Sequence, residues 1–467
     1  LGSPDTENDN SAIGYDALGG AINGGEFNLA IGNYVLDANT AGDYNVALGN
    51  QAMSANTSGS SNLAIGHVAL GSNTSGAYNV GVGQSTLNGN TTGARNIALG
   101  YGALDAPDTE SDNLAIGYDA LGGSIAGGDK NVAIGNYSLD ALTSGDNNVA
   151  VGYAALSANT TGDNNNAYGY ESLKSNTTGS MNNALGMSSL PSNTTGNENL
   201  ALGVSSLYSN TTGEHNVALG NQALKENTTG GYNTAVGTYA LHKVNRTDNS
   251  MAENTAIGYA AGFTGTNNLT TGNRNVLLGA KTAVSQATAT NQVVIGYNTS
   301  GTGDNEIALG NTNISAIKAQ VTSITGYSDR RIKRDISNND LGLAFINKLR
   351  TVKYKLKNPA DYPLALREKR FAKGNESRPE NNEKIYDGLI AQEVKAVIDE
   401  LGLEWSGWSK NDSDGKQGIQ YGALTVPLIK AVQEQQEQIN ELRAQINSLI
   451  AMQDQRPVDE IMTESDQ

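Results

Sequence analysis

A serine and a lysine lie five residues apart in the segment YSDRRIKRDI, at Ser328 and Lys333. A serine hydroxyl is a poor nucleophile until a neighbouring base removes its proton. A lysine can act as that base where burial and nearby positive charges favour its neutral form. Arg330, Arg331 and Arg334 flank Lys333 and would supply those charges. The pair could therefore cleave a peptide bond.

The same segment also admits a structural interpretation. Ser328 and Asp329 could cap a helix, and the basic run could be solvated or paired with acidic residues elsewhere in the chain. Serine and lysine at this spacing recur by chance, so the spacing alone does not separate the two interpretations. The sequence around the segment has to be considered.

Composition excludes several classes of function. The 467 residues include 30 basic and 47 acidic side chains, a net charge of −17, together with three histidines and no cysteine. We therefore expect no disulfide, no metal site and no cofactor. The acidic balance argues against nucleic acid as a partner, and the absence of an apolar run of about 18 residues predicts no membrane span.

A glycine within AIG-like or ALG-like triplets recurs along the first 310 residues, and twelve of the seventeen intervals between these glycines are 17 residues long. A fixed period predicts that each repeat is one rung of a solenoid or roll, stacked on the next rung. The recurring glycines are Gly14, Gly32, Gly49, Gly66, Gly83, Gly100, Gly117, Gly135, Gly152, Gly169, Gly186, Gly203, Gly220, Gly237, Gly258, Gly279, Gly296 and Gly310.

The repeat consensus N-x-A-[ILV]-G-x-x-A-L-x-x-N-T-T-G-x-x predicts the parts of a rung. Asparagine four residues before the glycine, as at Asn28, is expected to bond to the rungs above and below. Aliphatic residues around an alanine predict a short strand buried on both faces, one against its own chain and one against symmetry mates. Leucine four residues after the glycine, as at Leu70, should fill a turn. The glycine of NTTG should have a positive φ in the second turn.

A single rung cannot be stable alone. It buries two or three medium side chains, whereas ordering the backbone costs about 1 to 2 kcal/mol per residue. Stacking and self-association would supply the missing burial.

Adjacent threonines in NTT point in opposite directions, which argues against ice binding. The recurrence of N-T-T in a turn consensus favours turn chemistry over glycosylation.

The repeats from residue 11 to about 310 resemble the heads of YadA-like trimeric adhesins and the shaft repeats of proteins labelled as tail fibre proteins. Those heads usually repeat every fourteen residues, which only the last interval here does. The resemblance implies a mainly β fold, a trimeric parallel β-roll or solenoid. It also implies a cell-surface receptor, either glycan or protein, as a partner.

An internal duplication lies within the array. PDTEND at Pro4 recurs as PDTESD at Pro107, and IGYDALGG at Ile13 recurs at Ile116. Because the first copy lies against residue 1, we expect the natural protein to continue toward its N-terminus. We further expect an upstream fibre or baseplate component as a partner there.

After Thr325 glycine becomes rarer and amphipathic segments appear. The residues from Leu341 to Leu349 have helical spacing and those from Val352 to Leu356 alternate as in a strand, and YDGLIAQEVKAVIDELGL predicts a second strand and helix. From Leu428 the spacing is heptad. Positions a are Val432, Ile439 and Ile446, and positions d are Leu428, Gln435, Leu442 and Leu449. The pattern predicts a small α+β module followed by a coiled coil.

SDRRIKRDI, YDGLIAQEV, YGALTVPLIKAVQEQ and the terminal coiled coil, in this order, closely resemble the endosialidase-type intramolecular chaperone over residues 328 to about 455. The resemblance implies a domain that trimerises the chain, assists folding of the β-structured shaft and then cuts itself off. By the family pattern S-D-x-R-x-K, Ser328 is the nucleophile and Lys333 the base. The scissile bond lies between Tyr327 and Ser328.

These observations predict a homotrimeric extracellular fibre or spike of a virion, a phage-like particle or a bacterial surface, with self-cleavage as its only enzymatic activity. The alternative is a bacterial surface adhesin whose trimerisation domain is never cut. An enzyme acting on surface glycans would need a carboxylate cluster on a non-repetitive domain. Gln392, Glu393 and Asp387, in the family's GLIAQEV region, are interpreted as structural contacts.

The predicted segments are a β-roll shaft at 1–310, a linker with the cleavage site at 311–327, the chaperone and auto-processing domain at 328–424, the coiled coil at 425–455 and a disordered tail at 456–467.

Overall fold

The computed structural model describes residues 9–20, 23–123, 126–246, 251–265, 267–314, 330, 333–357, 362–363, 384–410 and 415–454. The chain divides into two compact units, Leu1–Ile317 and Lys318–Gln467. Each unit is described by itself below.

The first unit is a parallel β-solenoid, as the glycine period predicts. Its described residues form eighteen strands of three residues, and each strand pairs in parallel with the next one along the chain. Equivalent consensus positions lie opposite each other, so that Ala30 pairs with Ala47. The strands are β1 Ser11–Ile13, β2 Leu29–Ile31, β3 Val46–Leu48, β4 Leu63–Ile65, β5 Val80–Val82, β6 Ile97–Leu99, β7 Leu114–Ile116, β8 Val132–Ile134, β9 Val149–Val151, β10 Asn166–Tyr168, β11 Asn183–Leu185, β12 Leu200–Leu202, β13 Val217–Leu219, β14 Thr234–Val236, β15 Thr255–Ile257, β16 Val276–Leu278, β17 Val293–Ile295 and β18 Ile307–Leu309.

The core of the solenoid consists mainly of an alanine column and a leucine column. Ala47 and Ala64, each in the middle of a strand, are fully buried, and so are Leu70 and Leu87 after the recurring glycines. The prediction that these leucines fill a turn is confirmed. Leu70 and Leu87 have φ of 52° and 51°. A left-handed backbone costs an L-residue about 1 to 2 kcal/mol, so the buried contact of each leucine outweighs a local strain.

In the single chain each strand is buried on one face, as predicted, and the burial of the other face against symmetry mates stays a prediction. The middle residue of a triplet, alanine in most of them, points inward, whereas the residues on either side of it are at most partly covered. Leu63 is half-buried, and Ile65 and Ile97 are 37% and 40% exposed. A narrow rung favours a small side chain on the inner face, although β16 and β17 accommodate Leu277 and Val294 there, both fully buried.

The predicted asparagine ladder is confirmed. The backbone N–H of Asn45 donates to Oδ1 of Asn28 at 2.9 Å, and the Asn45 amide donates to the Gly59 carbonyl at 2.8 Å. A second ladder, which the sequence did not predict, runs through the asparagines of NTTG: the Asn56 amide donates to Oδ1 of Asn39 at 2.8 Å. An unpaired buried polar group would cost about 1 to 3 kcal/mol, so the ladders allow a narrow core with buried polar groups.

The glycines of the two turns have different roles. The recurring glycine has a positive φ, for example +142° at Gly66. The prediction that the NTTG glycine has a positive φ is wrong, because Gly59 and Gly76 lie outside the left-handed region. A β-carbon at Gly59 would instead clash with the Gly76 carbonyl oxygen of the next rung. Close approach of two backbones, rather than φ, requires glycine there.

The second unit has the predicted α+β composition. Its two-stranded sheets are antiparallel, β19 with β20 and β21 with β22. The elements are α1 Leu343–Lys348, β19 Val352–Tyr354, β20 Tyr386–Gly388, α2 Ala391–Leu401, β21 Trp408–Lys410, β22 Gln417–Ile419, a 3-10 turn Tyr421–Leu424 and α3 Thr425–Asp454. The core lies between α1 and α2: Phe345 is fully buried with its ring 5.5 Å from that of Trp405, and Val394 and Ile398 pack with them.

Candidate functional site

Lys333 is the member of the predicted dyad that the structure describes. Ser328, Tyr327 and Arg331 lie outside the described residues, so the distance between the predicted nucleophile and base is not defined. The side chain of Lys333 is exposed, and its backbone N–H donates to the Arg330 carbonyl at 3.2 Å. The burial that the catalytic interpretation requires is therefore not provided by the described part of a single chain.

The flanking arginine Arg334 lies in solvent. It is 3.6 Å from the carboxylate of its neighbour Asp335, and both side chains are almost fully exposed. Exposed ion pairs of this kind contribute about 0 to 1 kcal/mol. For this arginine the single chain agrees with the solvated alternative.

The helix that follows the Lys333 segment is anchored by the long C-terminal helix. The backbone N–H of Leu343, in the first turn of α1, donates to Oε2 of Glu434 on α3 at 2.7 Å. This hydrogen bond, assisted by Lys430 at 3.4 Å, lowers the pKa of the Glu434 carboxyl. Gly342, directly before the helix, leaves room for that carboxylate, since a β-carbon there would meet its oxygens. No sequence pattern indicated this contact, because its partners are 91 residues apart.

Glu393, in the GLIAQEV segment, makes a contact of the structural kind expected. Its carboxylate receives two hydrogen bonds from the Arg350 guanidinium, one of them 2.9 Å from Nε. The side-chain bonds lower the pKa of Glu393 and raise that of Arg350. Asp387 lies in β20 opposite Lys353 in β19. Gln392 follows the first residue of α2.

The comparison with known families found a match within this unit. Residues 328–403 match the family model described as chaperone of endosialidase. Over these residues the C-terminal unit is similar to an endosialidase-type chaperone, and the unit is called the chaperone domain below. The match includes both predicted dyad positions, α1 and α2, and it ends before α3. No curated protein matches the chain.

Beyond the matched residues lies α3, whose heptad stripe is exposed. Val432 and Leu449 are 63% and 65% exposed, and Ile439 is 38% exposed. Apolar side chains repeating at a and d positions are typical of a helix that packs against another helix. Within the described residues of one chain, no second helix covers the stripe.

The solenoid carries an exposed aromatic column that the sequence analysis missed. Five tyrosines of successive rungs lie in ring contact, with centroids 5.3 to 5.9 Å apart. The signal was a tyrosine one or two residues after the recurring glycine. The five are Tyr101, Tyr118, Tyr137, Tyr153 and Tyr170.

Two further searches cover the part of the chain that the structure describes. Within it, no three His, Asp or Glu side chains are arranged to hold a metal ion. None of the helices in that part is both long and apolar enough to cross a bilayer.

Proposed function

We propose that the protein is a homotrimeric extracellular fibre or spike that attaches to a surface or receptor. Its chaperone domain directs trimerisation and folding of the solenoid and then releases itself. The observation that carries the proposal is the match of residues 328–403 to the chaperone of endosialidase, in a chain that also forms a parallel β-solenoid. We place it on a virion, a phage-like particle or a bacterial cell surface.

Two exposed apolar surfaces support self-association. One is the outer face of the solenoid strands, where an aliphatic or tyrosine residue equivalent to Ile65 repeats on every rung and an aliphatic residue equivalent to Ile97 on most rungs. The other is the heptad stripe of α3. Contiguous apolar surface of this extent is uncommon on monomers, and each Å² removed from water contributes about 25 cal/mol.

A removable chaperone suits the folding problem of this shaft. Parallel pairing between residues 17 apart, repeated over eighteen strands, leaves unpaired strand edges exposed while the chain folds. A trimerising domain raises the local concentration of the three chains and sets their register. Its removal after folding would leave a fibre that is held by a slow unfolding rate.

Self-release requires one bond to be broken, between Tyr327 and Ser328. The Ser328 hydroxyl oxygen attacks the Tyr327 carbonyl carbon while Lys333 accepts the hydroxyl proton. The C–N bond then breaks, the Ser328 amine takes that proton, and water hydrolyses the resulting ester. Because Lys333 is exposed in the single chain, neighbouring chains of the trimer would supply its burial. Cleavage would then follow assembly.

The test is a denaturing gel and mass spectrometry of the purified chain. Cleavage before Ser328 releases residues 328–467, about 15 kDa of the 48.6 kDa chain. We expect this fragment in the wild type and its loss in both Ser328→Ala and Lys333→Arg. The second variant keeps the positive charge but cannot act as a base, since arginine stays protonated.

The second candidate is a surface adhesin that keeps its trimerisation domain. The exposed side chain of Lys333 favours it, because the described part of one chain does not provide the burial that the catalytic role requires. One intact band for the wild type and both variants, together with a trimeric mass by light scattering, would support this candidate instead.

A further inference from the structure

An apolar groove of about 610 Å³ lies in the chaperone domain beside the start of α3. One wall is formed by Ile346 of α1 and by Leu349, the residue directly after that helix. Leu424 and Leu428, at the end of the 3-10 turn and the start of α3, form another. Leu428 is also the first d residue of the exposed heptad stripe. The groove is therefore continuous with the surface through which copies of α3 are proposed to meet.

One side of α3 is already occupied by its own chain. Pro427 and Ala431 are buried, and Glu434 bonds to the first turn of α1. In the heptad register these residues hold positions c, g and c. Leu424, in the groove, holds the preceding g position. The g side of α3 therefore faces α1 and the groove.

The e side of the same helix is open in the single chain. Its four residues are Ile429, Gln436, Arg443 and Ile450, so only the first and the last are apolar. Ile429 and Ile450 are 53% and 52% exposed. Ile429 lies level with the groove, whereas Ile450 lies about six turns further along the helix.

In a parallel coiled coil, the e positions of one helix face the g positions of its neighbour. Applied to α3, this rule brings Ile429 of one copy against the g side of the next copy, where the groove is open. We propose that Ile429 docks in the groove of a neighbouring copy, next to Leu349. The inference rests on the proposed trimer. It adds that the trimer contact extends from the helices into the body of the chaperone domain.

Cysteine cross-linking tests the contact, because the natural chain has no cysteine. In a Ser328→Ala background that keeps the chain intact, Ile429→Cys is combined with Leu349→Cys. Mild oxidation is expected to give dimers and trimers on a non-reducing gel. The matched control combines Ile450→Cys with Leu349→Cys, and no cross-linked band is expected from it.

A second measurement uses the two tryptophans, Trp405 and Trp408, both in this unit. Ile429→Glu is expected to lower the midpoint of unfolding followed by tryptophan fluorescence more than Ile450→Glu does, since it would place a charge in an apolar groove. A monomeric wild type by light scattering would refute the trimer and the docking together. A trimer in which the Ile429→Cys and Leu349→Cys pair gives no cross-link between chains, or in which the two glutamate variants show equal shifts, would refute the docking alone.

Discussion

The solenoid and the chaperone domain are stabilised in different ways. In the solenoid, contacts join equivalent residues of neighbouring rungs, as in the bond between Asn45 and Asn28. In the chaperone domain they join residues far apart in sequence, as in the contact between Phe345 and Trp405. A repeat array gains stability as a sum of rung and interface terms, whereas one small core is lost or kept as a whole. A substitution should therefore act locally in the first unit and globally in the second.

The largest effect is expected from the core of the chaperone domain. Phe345→Ala should cost about 3 to 5 kcal/mol, because it leaves a cavity against Trp405. Denaturant titration followed by tryptophan fluorescence reports this unit alone. Leu356→Ala, at a partly exposed position, is the control and should change little. If Phe345→Ala also shifted the unfolding midpoint of the solenoid, followed by far-UV circular dichroism, by the same amount, the two units would not unfold independently.

A backbone substitution in the solenoid should be nearly as severe. Gly117 has φ of +142°, and a β-carbon there would lie 2.7 Å from the Gly135 carbonyl oxygen. Gly117→Ala should lower the free energy of unfolding of the solenoid by about 3 kcal/mol. Gly122 in the same rung has room for a β-carbon and no positive φ, so Gly122→Ala should stay within about 1 kcal/mol. Circular dichroism measures both, and equal destabilisation would contradict the assigned role of the recurring glycine.

Two adjacent asparagines allow the ladder to be tested within one rung. Asn165 is fully buried, accepts from the Asn182 backbone N–H at 3.0 Å and donates to the Gly179 carbonyl at 2.9 Å. Asn165→Ala leaves the Asn182 N–H unpaired and removes one of two side-chain bonds to the Gly179 carbonyl, which keeps the bond from Asn176 at 2.8 Å. It should lower the free energy of unfolding by about 1 to 3 kcal/mol. Asn166→Ala removes only an exposed side-chain bond to Asn183. Similar unfolding midpoints for the two variants would show that the ladder adds no stability.

The smallest effect is a difference in the response to acid. Burial raises the pKa of Asp105 and Asp140 in the solenoid, with a smaller contribution from the charge of Asp119. The charged forms of these two carboxyls destabilise the solenoid. This destabilisation disappears as pH falls through their raised pKa values, because the carboxyls become neutral. In the chaperone domain the pKa of Glu393 and that of Glu434 are lowered by hydrogen bonds. Their stabilisation is lost as pH falls below the unfolded value near 4.5.

The melting temperature of the chaperone domain, followed by tryptophan fluorescence, should therefore be lower at pH 4 than at pH 7. The Asp119→Asn variant, which removes a like charge, should stabilise the solenoid at pH 7 and less at pH 4. An Asp119→Asn effect that grows as pH falls would contradict the assigned repulsion.

Sequence reasoning succeeded where the physical cause is local or repeated. The spacing of the recurring glycines predicted the rungs, and the recurrence of Asn28 and its equivalents predicted a ladder, because a period fixes what lies above and below each residue. It failed at Gly59, since turn propensity does not reveal how closely the next rung approaches. It missed the contact of Glu434 with α1, because a single residue pair far apart in sequence leaves no pattern. The role of Ser328 stays a prediction, which the Ser328→Ala gel tests.

The sequence by itself determined the class of each unit, because period, heptads and ordered motifs are properties of the chain alone. Tertiary structure decided which face of each strand turns inward, why Gly59 must be glycine, and that Lys333 is exposed in one chain. These depend on distances between backbones and on the surface left uncovered after packing, and no local preference encodes either.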